Sequence, residues 1–198
     1  MAASMAAVAL AMPFGAPAAC ASPDAPASDP QAAPRLLRPV AGHPPAPPLR
    51  LATLDGPPFD LAHSHRVTVV HFFATWCAPC RAELPALGRF AARWPQVSVA
   101  LVDVAEVPAR VRRFFEEQPA PGPILLDMDR SATRAFGVSL LSASFVVAEG
   151  RIALRAEGEV AWDSPETDEA IAAVNGAGGL PHGHSSPAAN NKESQEEP

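Results

Sequence analysis

Residues 67–85 read VTVVHFFATWCAPCRAELP, and this stretch decides the fold. Its first part, Val67–Ala74, is an almost unbroken β-branched and aromatic run, the pattern of a central strand covered on both faces. Beyond it, Leu84, Leu87, Ala91 and Trp94 recur at helical spacing, so Cys77–Trp94 predicts a helix. Pro85 falls inside that pattern and predicts a kink. Cys77 and Cys80, separated by two residues, stand at the junction where the buried strand feeds the helix.

Working outward, Leu49–Leu54 and Phe59–Leu61 flank Asp55-Gly56 as a short hairpin. Val97–Val104 predicts a second buried strand. Val107–Gln118 predicts a helix with Pro108 in its first turn and Val111, Phe114 and Phe115 inward; Arg112/Glu116 and Arg113/Glu117 would pair along its outer side. Ile124–Leu126 predicts a short strand leading into a small helix, Ser131–Phe136, stopped by Gly137. Ser144–Ala148 and Arg151–Ala156 flank Glu149-Gly150 as a hairpin, and Ser164-Pro165 opens a last helix ending near Asn175-Gly176. The order βαβα then ββα requires a mixed sheet with helices on both faces and antiparallel strands supplied by the later hairpin.

The chain has 198 residues, enough for one ordinary domain with tails. Hydrophobic residues make up 48%, which excludes wholesale disorder. The net charge is −6, and 14 of the 15 basic residues are scattered arginines, which argues against a nucleic-acid partner. Residues 13–58 hold 13 of the 24 prolines, whereas 11 of the 12 Phe and Trp residues lie between Phe59 and Trp162. A Pro/Ala-rich segment with little to bury predicts an extended tether. The expected organisation is therefore a signal or anchor segment at 1–20, a linker at 21–47, a folded domain at 48–175 and a disordered tail at 176–198. The Ala-rich run ending near Cys20 resembles an export signal, although it lacks a basic start, and Cys20 is a candidate lipid acceptor. Pro13 and Pro17 interrupt the only stretch that approaches a membrane span.

Two cysteines so spaced at a helix start can close into a disulfide across the first turn. The first thiol lies where unpaired N–H groups and the helix dipole favour a thiolate. Only the thiolate attacks disulfides, so Cys77 is the expected nucleophile and Cys80 the resolving thiol. A C-x-x-C can instead be half of a zinc site. No further Cys exists in the domain to complete one, which leaves His63, His65 or His71.

The run FATWCAPCRAELP (residues 73–85) resembles the thioredoxin superfamily, and within it the TlpA/ResA/CcmG branch of membrane-tethered extracytoplasmic thiol–disulfide oxidoreductases. Leu54-Asp55-Gly56 with Phe59 and Leu61, Phe136-Gly137-Val138, and Phe145-Val146-Val147 with Glu149-Gly150 extend the likeness over about 48–175. The resemblance implies an α/β thioredoxin-like fold: a mixed central sheet flanked by helices on both faces, with an N-terminal β-hairpin. It also implies an enzyme, periplasmic or otherwise extracytoplasmic, that reduces disulfides of client proteins. Cytochrome c apoproteins and copper-site cysteines are the typical clients. A membrane thiol-electron donor would re-reduce it, and an N-terminal tether carried by Cys20 would hold it at the membrane. No cofactor beyond the redox-active Cys77–Cys80 pair, and no metal, is implied. Trp76 would shield the disulfide and join the docking surface, and Pro79 fills the motif between the cysteines.

Two positions depart from that branch. A cis-proline usually faces the C-x-x-C in a G-V-x-x-x-P-T-x-F pattern; aligning Gly137-Val138 and Phe145 puts Ser142 there. A cis bond before a non-proline costs ~2.5–4 kcal/mol, so the Leu141–Ser142 bond is expected trans unless packing forces it. Leu141, the residue before it, would offer backbone to a client strand. His71, six residues before Cys77, stands where many thioredoxins bury an Asp. It would either accept the Cys80 proton or lie neutral against a backbone partner. Glu83 would tune the cysteines or favour the helix start electrostatically, and Arg81 reads as a solvated face residue.

His63-x-His65 and His182-x-His184 have copper- or nickel-chelating spacing, but such short pairs also occur on ordinary surfaces. The rival to the enzyme is a copper-binding chaperone of the same fold without turnover, although the fold's copper chaperones space their cysteines by three. A peroxidase lacks support because Ala74 occupies the place of its Thr, and a scaffold with vestigial cysteines is the last alternative.

Overall fold

The computed structural model describes residues 34–177. The expected signal or anchor segment at 1–20, Cys20, the linker up to residue 33, His182, His184 and the tail beyond Ala177 lie outside the described residues. The strands are β1 (Arg38–Pro39), β2 (Arg50–Leu51), β3 (Phe59–Asp60), β4 (Thr68–Phe73), β5 (Ser98–Val104), β6 (Ile124–Asp127), β7 (Ala143–Ala148) and β8 (Arg151–Glu157). The helices are α1 (Ala78–Arg93), α2 (Pro108–Glu116), α3 (Ser131–Ala135) and α4 (Pro165–Ala177).

Six strands form one mixed sheet in the order β1-β8-β7-β4-β5-β6, and β2 pairs with β3 apart from it. β4 runs parallel to β5 and antiparallel to β7. Every residue of β4 is buried, as its unbroken apolar run requires. Val69 and Phe73 pack on one face with Leu84, Leu87 and Phe90 of α1, Val111 of α2 and Ile171 of α4. Val70 and Phe72 pack on the other with Leu125, Phe136, Phe145, Ala132 of α3 and Leu49 and Leu61 beside the hairpin. The thioredoxin-like architecture expected from the motif is thus present, with Pro85 inside an unbroken helix. Glu149 and Gly150 both have positive φ, the geometry of the tight turn that joins β7 to β8.

The linker expectation needs correction, because the folded unit begins well before residue 48. β1 pairs with β8, Val40 donates to the Ala153 carbonyl (2.9 Å), Ile152 to Pro44 (2.9 Å) and Ala46 to Gly150 (2.8 Å). Leu37 and Leu49 are buried. Proline lacks an N–H but keeps its carbonyl, so a proline-rich chain can lie along a sheet edge as long as the residues between the prolines donate. At the opposite edge, Leu54 donates to the Ile124 carbonyl and Leu126 to Ala52, laying the hairpin along β6. Arg112 turns to this hairpin rather than to Glu116, reaching Asp55 at 2.9 Å and the Leu54 carbonyl at 3.2 Å.

Candidate functional site

Strand β4 ends beneath the first turn of α1, and there Cys77 and Cys80 form a disulfide with Cα atoms 5.3 Å apart. Cys77 is the N-cap of α1, and its sulfur accepts the Cys80 N–H at 3.3 Å. An N-cap sulfur faces the unpaired N–H groups of the first turn, the place where negative charge is stabilised. Cys80 is fully buried, whereas Cys77 keeps a sliver of exposure at 6%. The more accessible cysteine is therefore the one at the helix terminus. Trp76 stands beside it, 61% exposed. Pro79 and Arg81 are also exposed, and Leu141 is half-buried.

The loop carrying Trp76 is clamped from below. Glu106, buried just after β5, accepts the Thr75 N–H at 2.5 Å and the Thr75 hydroxyl at 2.7 Å. Its own N–H donates to Asp103 at 3.3 Å. Burial first, then the Glu106 side chain, push the Asp103 carboxyl well above the ordinary carboxylate range.

Under the disulfide lies a second constellation. Cys80 and Glu83, three residues apart on the buried stripe of α1, share one helix face. Glu83 Oε2 accepts the Val160 N–H at 2.6 Å. Its Oε1 lies 3.1 Å from His71 Nε2, off the line of an aligned hydrogen bond, with both side chains fully buried. His71 Nδ1 lies 2.9 Å from the Ser144 hydroxyl of β7. Burial lowers the His71 ring to about 3. Burial raises Glu83 to about 7, with the nearby Glu159 charge pushing the same way; the Ser142 hydroxyl, the Val160 N–H and the Trp162 indole oppose the rise. The short His71–Glu83 contact is thus a pair around a neutral ring rather than an ion pair, because two charges so buried would lose more hydration than they regain.

Structure and sequence expectations part at two points, the Leu141–Ser142 peptide and the partners of His71. The Leu141–Ser142 peptide is cis, not trans. Packing over-determines the backbone there: Ser142 is fully buried, its carbonyl accepts the Gly158 N–H at 2.7 Å, and β7 begins at the next residue. Glu83, placed by the sequence only in the first turns of the helix, is buried and faces His71. His71 is fully buried, and its neighbours are the side chains of Ser144 and Glu83 instead of a backbone group. The structure brings Cys77, Cys80, Glu83, His71 and Ser142 together around the base of α1. Thr75, Glu106, Ser144 and Trp162 were not singled out from sequence. Of these, only the Thr beside the motif and the acid after a buried strand carried any signal.

His63 is exposed and pairs with Asp60 at 3.2 Å. Among the described residues no group of three or more His, Cys, Asp or Glu side chains is arranged to hold a metal ion, and no helix is long and apolar enough to cross a membrane.

A family model described as Redoxin matches residues 41–177. The sporulation thiol-disulfide oxidoreductase A of Bacillus subtilis (strain 168) is 29% identical over 104 residues, covering 50% of this chain and 63% of that protein. The thiol-disulfide oxidoreductase ResA of the same organism is 30% identical over 86 residues, covering 42% of this chain and 48% of its own length. The chain thus spans about half to three-fifths of these curated relatives. Among solved structures, a thiol:disulfide interchange protein of the thioredoxin family from Chlorobium tepidum TLS is similar with a TM-score of 0.59 at 27% identity, covering 69% of this chain and 97% of that one.

Proposed function

This chain belongs to the Redoxin family, within the thioredoxin superfamily, and on that premise we propose that it is a thiol–disulfide oxidoreductase working through Cys77 and Cys80. The observation that carries the proposal is the disulfide at the start of α1, with the more accessible cysteine as the helix N-cap. In the reduced protein the Cys77 thiolate attacks a client disulfide, forms a mixed disulfide and releases the first client thiolate, which takes up a proton. Cys80 loses its proton and attacks Cys77, releasing the second client thiol and closing the Cys77–Cys80 bond. A dithiol donor then takes up the oxidation and resets the pair. Two electrons pass to the client in each cycle.

We extend the reading as follows. The protein acts outside the cytoplasm, on client disulfides of the cytochrome c or copper-site maturation type, and is re-reduced by a membrane thiol-electron donor. The Ala-rich N-terminus delivers it there, and Cys20 tethers it. The motif resemblance and the composition of the N-terminus support these finer points. Leu141 and the exposed Trp76 form the client-docking surface, and Glu83 serves as the proton-handling group nearest Cys80 along the helix.

The test is a redox titration of the full chain in glutathione or dithiothreitol buffers, read by tryptophan fluorescence, with and without Cu(I). Client trapping by Cys80→Ala accompanies it. A reversible two-electron transition and a mixed disulfide through Cys77 are expected. Stoichiometric Cu(I) binding with no trapped protein would replace the enzyme by the copper-binding chaperone.

A further inference from the structure

We propose that His71 is a positioning residue that stays neutral while its single N–H changes sides, so that the proton taken up by the buried site resides on Glu83 Oε1. The inference rests on the oxidoreductase reading for its use, but not for its geometry.

Glu83 has one oxygen committed: Oε2 accepts the Val160 N–H at 2.6 Å. An added proton therefore goes to Oε1, which faces His71 Nε2 at 3.1 Å. With Glu83 ionised, the ring meets it best by carrying its hydrogen on Nε2, and the Ser144 hydroxyl donates to Nδ1. With Glu83 protonated, Oε1–H donates to a bare Nε2, so the ring hydrogen must sit on Nδ1 and be accepted by Ser144. The 2.9 Å contact to Ser144 serves either direction, because a hydroxyl both donates and accepts. The closed surroundings exclude the competing arrangement, a carboxylate beside an imidazolium. His71 is fully buried, with the Phe73 ring at 6.5 Å and the Trp162 ring at 6.4 Å.

The other groups facing the pair are few. They are the Ser142 hydroxyl from just before β7, the Trp162 indole N–H and the Val160 N–H from the segment after β8, and the charge of Glu159. Ser142 Oγ, Trp162 Nε1, His71 Nε2 and Glu83 Oε1 are all buried without an aligned partner. A carboxyl that gains or loses a proton by small rotations within this set can exchange it with Cys80, one turn earlier on α1, without admitting a charged ring.

Nitrogen-15 NMR of the full, oxidised chain labelled in histidine tests this. As pH falls through about 7, the value set by Glu83, the Nδ1 and Nε2 shifts of His71 should exchange character while the ring shows no imidazolium signature. Glu83→Gln should fix the ring in the Nδ1–H form at every pH, and Ser144→Ala should lower the midpoint. An imidazolium signal in this range, or one unchanging tautomer in the wild-type chain, overturns the proposal. The wild-type titration suffices even if a variant does not fold. Because no thiol exchange occurs in it, its failure is distinct from failure of the oxidoreductase reading.

Discussion

At the scale of single residues, Glu83 and His71 pull the pH dependence of stability in opposite directions. Glu83 binds its proton more tightly folded than unfolded, rising from 4.5 to about 7, so its contribution is complete below 4.5 and is lost as pH climbs to 7. His71 is depressed from 6.5 to about 3, so its contribution is complete above 6.5 and is lost as pH falls toward 3. Between 4.5 and 6.5 the two largely offset, and above that only the Glu83 loss continues. Glu83→Gln cannot ionise, so its stability relative to the wild type should improve by up to about 3 kcal/mol between pH 4.5 and 8, measured by urea unfolding of the oxidised chain. A pH-independent difference would refute the assignment. In the sequence, Cys77 and Cys80 declared themselves by spacing, because a disulfide across one turn is a local matter. The Glu83–His71 contact did not: it joins a helix to a strand, and which way a helical acid faces depends on packing that the motif does not spell out.

Among the elements, the start of α1 is held by neighbours rather than by its own sequence. The Glu106 clamp fixes Thr75, and Arg89 and Arg93 on the outer face of α1 grip the Trp162–Asp163 corner through Asp163 and the Trp162 carbonyl. That corner supplies the Val160 N–H and the Trp162 ring above Glu83. Glu106→Ala would strand two buried Thr75 donors, a loss of about 3 kcal/mol, and should speed amide exchange at Thr75 and Trp76. Asp163→Ala, at an exposed ion pair, should cost under about 1 kcal/mol. Similar losses at both sites would mean that the clamp carries no special weight. The long, periodic elements β4, α1 and β5 were legible to within a residue or two, since their apolar patterns are dictated by burial on known faces. β1 was not, because two residues of edge strand among prolines carry no periodicity and owe their place to β8.

For the molecule as a whole, that edge strand makes the proline-rich approach part of the fold. A chain beginning at residue 47 should be less stable than one beginning at residue 34 by about 3 kcal/mol, a fall of roughly 6–12 °C in Tm, since it loses Leu37 and the pairing with β8. Equal melting temperatures would return the segment to the role of a free tether. The same arrangement governs how the protein meets other chains. Among the described residues, β8 is capped by β1 and β6 is covered by the 52–54 segment, so the flank left to an incoming polypeptide is two residues long and includes a proline. A protein proposed to dock other chains beside its disulfide thereby meets them without serving as a template for cross-β aggregation.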